Sequence, residues 1–194
     1  FKFCPKFTNR ISHFKRLKDA EEVTNLFLKG ISEFEENLGP IFLQLPPNFP
    51  PKNFEVLEKY LAALPADIDV FVELRHPGWF EAKESFDQVF DMFEKYKKGA
   101  IITDASGRRD CVHMRLTTPD AFLRFVGNGL HPTDYTRCDE WINRIKSWKD
   151  KKIQTVYFFM HQHEELHSPE LCKYVIEGLN ARLGTSIPVP KFVA

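Results

Sequence analysis

Glu73 and Arg75 close an apolar run that reads Asp69-Val70-Phe71-Val72-Glu73-Leu74-Arg75. On an extended strand alternate side chains share a face, so an acid and a guanidinium point the same way while Leu74 points the other. A guanidinium offers a planar fork of donors to a phosphate or carboxylate, and a carboxylate beside it can act as a base or metal ligand. A structural ion pair is the plainer use of the same two residues. Other short apolar runs also end in polar residues: Lys6 after Phe1, Gln44 after Ile41, Asp104 after Ala100, Arg124 after Ala121 and His161 after Val156. If these strands are parallel neighbours, their ends gather around one mouth, where α/β sheets and barrels carry their chemistry.

Further candidates flank those ends. His76 precedes Pro77 and serves either as a catalytic imidazole or as the cap of a fixed turn. Asp104 stands beside Ser106-Gly107-Arg108-Arg109, a carboxylate next to a flexible loop with two guanidiniums, which suits an anionic substrate or a metal. Lys6 fits anion binding. Trp79 is an indole able to wall a pocket, although packing over the rim explains it as well. His161, His163 and His167 with Glu164 are locally dense metal-capable ligands. No second cluster of firm spacing completes them, so they read as a polar loop and no metal ligand set is assigned.

Several elements must position these residues. Val23, Phe27, Ile31, Phe34 and Leu38 lie at helical spacing up to Gly39-Pro40; Phe54, Leu57, Leu61 and Leu64 form a second stripe, and Phe86, Val89, Phe90 and Phe93 a third. Tyr135 to Lys149 reads as a helix with Trp141, Ile142, Ile145 and Trp148 inward. Ser168-Pro169-Glu170 reads as an N-cap, a first-position proline and a first-turn acid, with Gly184 as the stop. Strand and helix alternate about every 30 residues, the mark of βα units joined by right-handed crossovers. Residues 105–120 break the rhythm as a functional or capping loop. Gly127-Asn128-Gly129 does not match a dinucleotide fingerprint.

Composition narrows the partners. Lys plus Arg and Asp plus Glu each number 27 in 194 residues, so no global field favours nucleic acid or membrane, and an anion site must be built locally. Cys4, Cys111, Cys138 and Cys172 show no paired spacing, which suits a reducing cytoplasm. No apolar stretch has the length of a membrane span. The 19 Phe residues fall mainly on helix stripes and in strands, so core packing accounts for them before base stacking does.

Three segments together resemble the YecE-like family, catalogued as domain of unknown function 72. Phe3-Cys4-Pro5-Lys6 with Ile11-Ser12-His13 is similar to its strand-end Lys and Ile-Thr-His turn. Gly39 to Pro46 resembles its Gly-Pro-x-Leu-x-Gln-Leu-Pro strand, and Phe71 to Trp79 its Val-Glu-Leu-Arg-His-x-x-Trp signature. The resemblance runs along essentially the whole chain. It departs at Arg124-Phe125-Val126-Gly127, where the family usually has Arg-x-His-Gly, and at Met160-His161-Gln162-His163, where a pair of Asn is common.

The resemblance implies an α/β fold of the (β/α)8 TIM-barrel type, a single domain over residues 1–194 with about six βα units. The family's two opening strands have no counterpart here, so the N-terminal units are expected to be missing. Glu73, Asp104 and His76 are then the expected catalytic groups, and Lys6, His13, Gln44, Arg75, Trp79 and Arg124 the expected substrate contacts. The leading expectation is a cytoplasmic hydrolase acting on a small anionic or phosphorylated molecule, with a divalent metal compatible with Glu73 and Asp104. A metal-dependent nuclease is the second reading, weakened by the neutral charge. A non-catalytic barrel that binds a ligand or protein is the third.

Overall fold

A computed structural model of the chain describes residues 1–149, 151 and 153–192. Five parallel strands carry the fold: β1 (Ile41–Gln44), β2 (Val70–Glu73), β3 (Gly99–Ala105), β4 (Ala121–Val126) and β5 (Val156–His161). Their order in the sheet, β1-β2-β3-β4-β5, follows the chain. The connecting helices are α1 (Glu21–Ser32), α2 (Phe54–Ala63), the short α3 (Gly78–Glu81), α4 (Lys83–Lys95) and α5 (Pro132–Lys149), and α6 (Ser168–Leu183) follows β5. None of the described helices is long and apolar enough to cross a membrane.

The chain divides into two compact units, Phe1–Ile102 with Asp110–Thr118, and Thr103–Arg109 with Pro119–Ala194. In the first, β1 and β2 are in register from Ile41 opposite Val70 to Gln44 opposite Glu73. One face of this pair, Ile41, Leu43, Val70, Val72 and Leu74, joins the core with Leu57, Leu61, Val89, Phe90 and Phe93 from the helices. The other face carries Phe42, Gln44, Phe71 and Glu73 by alternation. Phe71 pairs with Gly99 on β3, and a Cβ on Gly99 would stand 2.1 Å from the Phe71 ring. Glycine is needed there because the ring fills the space a side chain would take.

The second unit pairs β4 with β5 from Ala121 opposite Val156 to Val126 opposite His161. Phe122 stacks on Phe159, 4.6 Å between centroids at 10°, on one face of that pair. On the other, the Arg137 guanidinium of α5 lies 4.1 Å over the Phe125 ring. Alternation therefore points Arg124 away from α5, toward the face that carries Phe122 and Phe159.

Three sequence expectations change. Phe1 to Lys6 is not a full strand: it meets its neighbours only at two isolated parallel bridges, Phe3 with Leu38 and Lys6 with Phe42. Pro5 between them has no N–H to continue a ladder, though its carbonyl accepts from the Phe42 amide at 3.0 Å. The first apolar stripe is helical only to Ser32; Glu35–Asn37 is a 3-10 turn, and Glu35 has a φ of 47°. Ser168 stands inside α6 with His167 at the cap, and its hydroxyl donates to Glu165 instead of capping. Gly184 does end that helix, in the left-handed conformation at φ 66°.

Candidate functional site

In the first unit the register of β1 and β2 sets Gln44 directly beside Glu73. The Gln44 Nε2 donates to Glu73 Oε2 at 2.9 Å, and its Oε1 faces Lys6 Nζ at 3.4 Å. Glu73 is only 1% exposed, and Arg75 Nε stands 3.9 Å from its other oxygen. A buried carboxylate costs several kcal/mol unless it is paired and hydrogen-bonded, and the amide and the guanidinium both answer that need. The expected same-face pair of Glu73 and Arg75 is thus present, with Gln44 linking it to Lys6.

His13 belongs to this cluster through charge. Burial pushes its pKa below the ordinary value, and the positive charges of Lys6 and Arg75 push it the same way. Its Nδ1 lies 2.8 Å from the buried hydroxyl of Ser12, which in turn reaches the Thr8 carbonyl at 3.4 Å. Both contacts are used when Nδ1–H donates to Ser12 and Ser12 donates to Thr8, leaving Nε2 with its lone pair. The segment that carries His13 is unusual. Arg10–Phe14 is a π-helical turn, and Arg16, Leu17 and Asp19 all have positive φ. Such backbone persists where its surroundings over-determine it. Here Arg16 donates to the Asn48 side chain at 2.9 Å and to its carbonyl at 2.7 Å, while Leu17 is buried.

His76 and Trp79 find nearer partners. The Gly78 amide donates to His76 Nδ1 at 3.0 Å, the turn-capping geometry. Trp79 is 1% exposed, and its Nε1 donates to the Phe49 carbonyl at 2.8 Å, so the indole is core of this unit and turns no open face to a ligand.

Asp104 lies in the second unit, on the α5 side of β3 and not on the face of Arg124. It is 2% exposed. One oxygen accepts from Arg109 and from Arg137 at 3.1 Å, and the other from Trp141 Nε1 at 2.7 Å. Arg137 also donates to the Val126 carbonyl at 2.9 Å and to the fully buried Asp134 at 3.1 Å. Asp134 in turn accepts from the Asn128 amide at 2.7 Å, so one network ties the ends of β3 and β4 to the first turn of α5. The sequence reading missed Arg137, Asp134 and Gln162. A signal existed for Arg137: it stands four residues before Trp141, on an apolar helix stripe, where a charge needs a buried partner. Gln162 packs over Gly127 and accepts from the Gly129 amide at 2.9 Å, a position no motif marks.

The loop at 105–120 caps. Within the first unit, His113 Nε2 meets the Ile101 carbonyl at 3.0 Å, Thr117 donates to the Lys98 carbonyl at 2.7 Å, and Arg115 bridges Asp91 and Glu94. His161 pairs with Glu165 at 3.2 Å and His167 with Glu164 at 3.8 Å, while His163 is exposed. Among the described residues no three His, Cys, Asp or Glu side chains converge as a metal site. A cavity of about 360 Å³ in the second unit is lined by Val156, Phe158, Cys172, Ile176 and Ile187.

Parallel strands in chain order, helices between them, and polar side chains at the carboxyl ends define an α/β protein of the βα-repeat class. The model of the family described as "Protein of unknown function DUF72" matches residues 1–191, and the chain belongs to that family. A curated relative is the UPF0759 protein YecE of Escherichia coli K12, 26% identical over 208 residues, covering 98% of this chain and 76% of that one. The crystal structure of a DUF72 family protein (EF0366) from Enterococcus faecalis V583 is similar with a TM-score of 0.75 at 16% identity, over 96% of this chain and 79% of the other. A DUF72 family protein (TM1631) from Thermotoga maritima MSB8 gives 0.69 at 20% identity, over 95% and 74%. The fold is shared with these proteins.

Proposed function

We propose that this protein is an enzyme, a hydrolase acting on a small anionic or phosphorylated substrate at the strand ends of its first unit. What supports the reading is one arrangement: a buried Glu73 held by Gln44 and Arg75, with Lys6 on the far side of the same amide; burial and the charges of both cations push the His13 pKa down. Lys6 and Arg75 hold the anion, His13 and Gln44 orient it, and Glu73 exchanges a proton with the reacting group. His76 and Trp79 support the turn beside them. The same reading takes the chain as one (β/α)8-type domain of about six βα units, at work in the cytoplasm, where four free thiols are at home.

A thermal-shift screen of phosphorylated compounds tests this. A ligand at about 100 times its Kd stabilises the folded state by about 2.7 kcal/mol, enough to read as a rise of several degrees in Tm. Arg75→Ala is expected to abolish that rise. A full panel that leaves the wild type unmoved, or a rise that survives Arg75→Ala, contradicts the site.

A further inference from the structure

From Phe1 to Lys18 the chain carries six cations, Lys2, Lys6, Arg10, Lys15, Arg16 and Lys18, and no acid. With six of the 27 basic residues placed there, the rest of the chain sets 21 against all 27 acidic ones, so the neutral total hides a local positive field. Asp19, Glu21 and Glu22 come next and bound that stretch along the chain. Part of the charge is already engaged. Lys6 faces Gln44, Lys2 donates to the Glu36 carbonyl, and Arg16 is clamped to Asn48. Lys15 donates to the Asp19 carbonyl at 2.7 Å, a partner with no charge to cancel its own. Arg10 and Lys18 are exposed, and among the described residues neither side chain has a hydrogen-bond or ion-pair partner.

The fold sets three of these cations beside one aromatic residue. Arg10–Phe14 is a π-helical turn closed by the Lys15 amide on the Arg10 carbonyl at 2.9 Å. That bond brings Lys15 over Arg10 with Phe14 next to it, while Ile11 and Ser12 take the buried side. The Lys18 amide then returns to the Lys15 carbonyl at 3.0 Å. Phe14 itself is 78% exposed. With Ile11 and Leu17 buried on either side of it and Arg16 tied to Asn48, the backbone holds the ring in water.

A polyanion that also offers flat apolar faces answers both features. Unpaired bases stack on aromatic rings, and their phosphates take the cations. A duplex keeps its base faces inside the stack. A lipid surface holds a wedge in proportion to its apolar area, and a single ring supplies little. We propose that the loop at residues 10–18 is a docking surface for single-stranded nucleic acid, with one base stacked on Phe14 and neighbouring phosphates held by Arg10, Lys15 and Lys18. This surface is independent of the strand-end site. It reads no sequence, since stacking accepts any base.

Fluorescence anisotropy of a labelled single strand of about 12 nucleotides, titrated with the full chain from about 25 to about 200 mM salt, tests the proposal. Three phosphate contacts predict a slope of log affinity on log salt of about −2, and the double variant Arg10→Ala, Lys18→Ala is expected to reduce it to about −0.7. Phe14→Ala should weaken binding by about tenfold with the slope unchanged, and Phe14→Tyr, which keeps a stacking ring, should restore it. Absence of binding at the lowest salt overturns the proposal, as does binding indifferent to Phe14→Ala. A duplex bound equally well with the same dependence on Phe14, or Phe14-dependent binding to phosphatidylserine vesicles and none to the strand, overturns it too.

Discussion

Glu73 shows how much of a site one side chain can fix. The alternation of Glu73, Leu74 and Arg75 was readable in the sequence, and so was the shared face of acid and guanidinium, because strand period depends on nothing beyond the strand. That Gln44 would be the donor to Glu73 was not readable, since it depends on the register of two strands 29 residues apart. His113 was passed over for the same reason: its partners, the Ile101 carbonyl and the rings of Phe80, Phe86 and Phe90, come from other elements. Burial pushes its pKa down to about 4. The folded state thus binds this proton less readily than the unfolded chain, whose histidine titrates near 6.5. The stability due to neutral His113 is complete above that pH and is lost progressively as pH falls toward 4, on the order of 3 kcal/mol in all. Urea unfolding at pH 7 and pH 4.5 should show this loss in the wild type and a smaller one in His113→Gln. Equal losses in the two proteins would remove His113 from the account.

Element by element, all five strands and every helix but the short α3 were legible because apolar period and Gly or Pro boundaries mark them locally. Phe1 to Lys6 was over-read: apolar residues suggest a strand, but Pro5 lets the segment bridge its neighbours without forming a continuous ladder. Which side of β3 Asp104 takes was not readable, because alternation within β3 says which residues share a face and not which face meets a helix. Only Trp141 and Arg137 on α5 decide that. The pairing of β2 with β3 makes a sharper demand. Gly99→Ala should destabilise the first unit by about 1–3 kcal/mol, since the new methyl collides with the Phe71 ring. Adding Phe71→Leu should recover part of that loss, measured as a coupling in a double-mutant cycle. Strictly additive effects would mean that the ring does not dictate this glycine.

At the scale of the whole molecule the chain is neutral, with 27 basic and 27 acidic residues, so anion binding has to come from local arrangement. The site proposed in the first unit is such an arrangement: Lys6 and Arg75 near a buried Glu73 held by Gln44 at the end of β1 and β2. The family and the fold were visible in three short motifs. The separate network around Asp104 was not, because its members are scattered along the chain and meet only after α5 packs. The most direct test of the central claim is a crystal of the protein soaked in tungstate, located by anomalous scattering. The expected result is a tungstate oxygen within hydrogen-bond distance, about 3 Å, of Lys6 Nζ and of Arg75, with His13 Nε2 facing it. Well-occupied tungstate elsewhere on the molecule, with these three side chains untouched, would contradict the account.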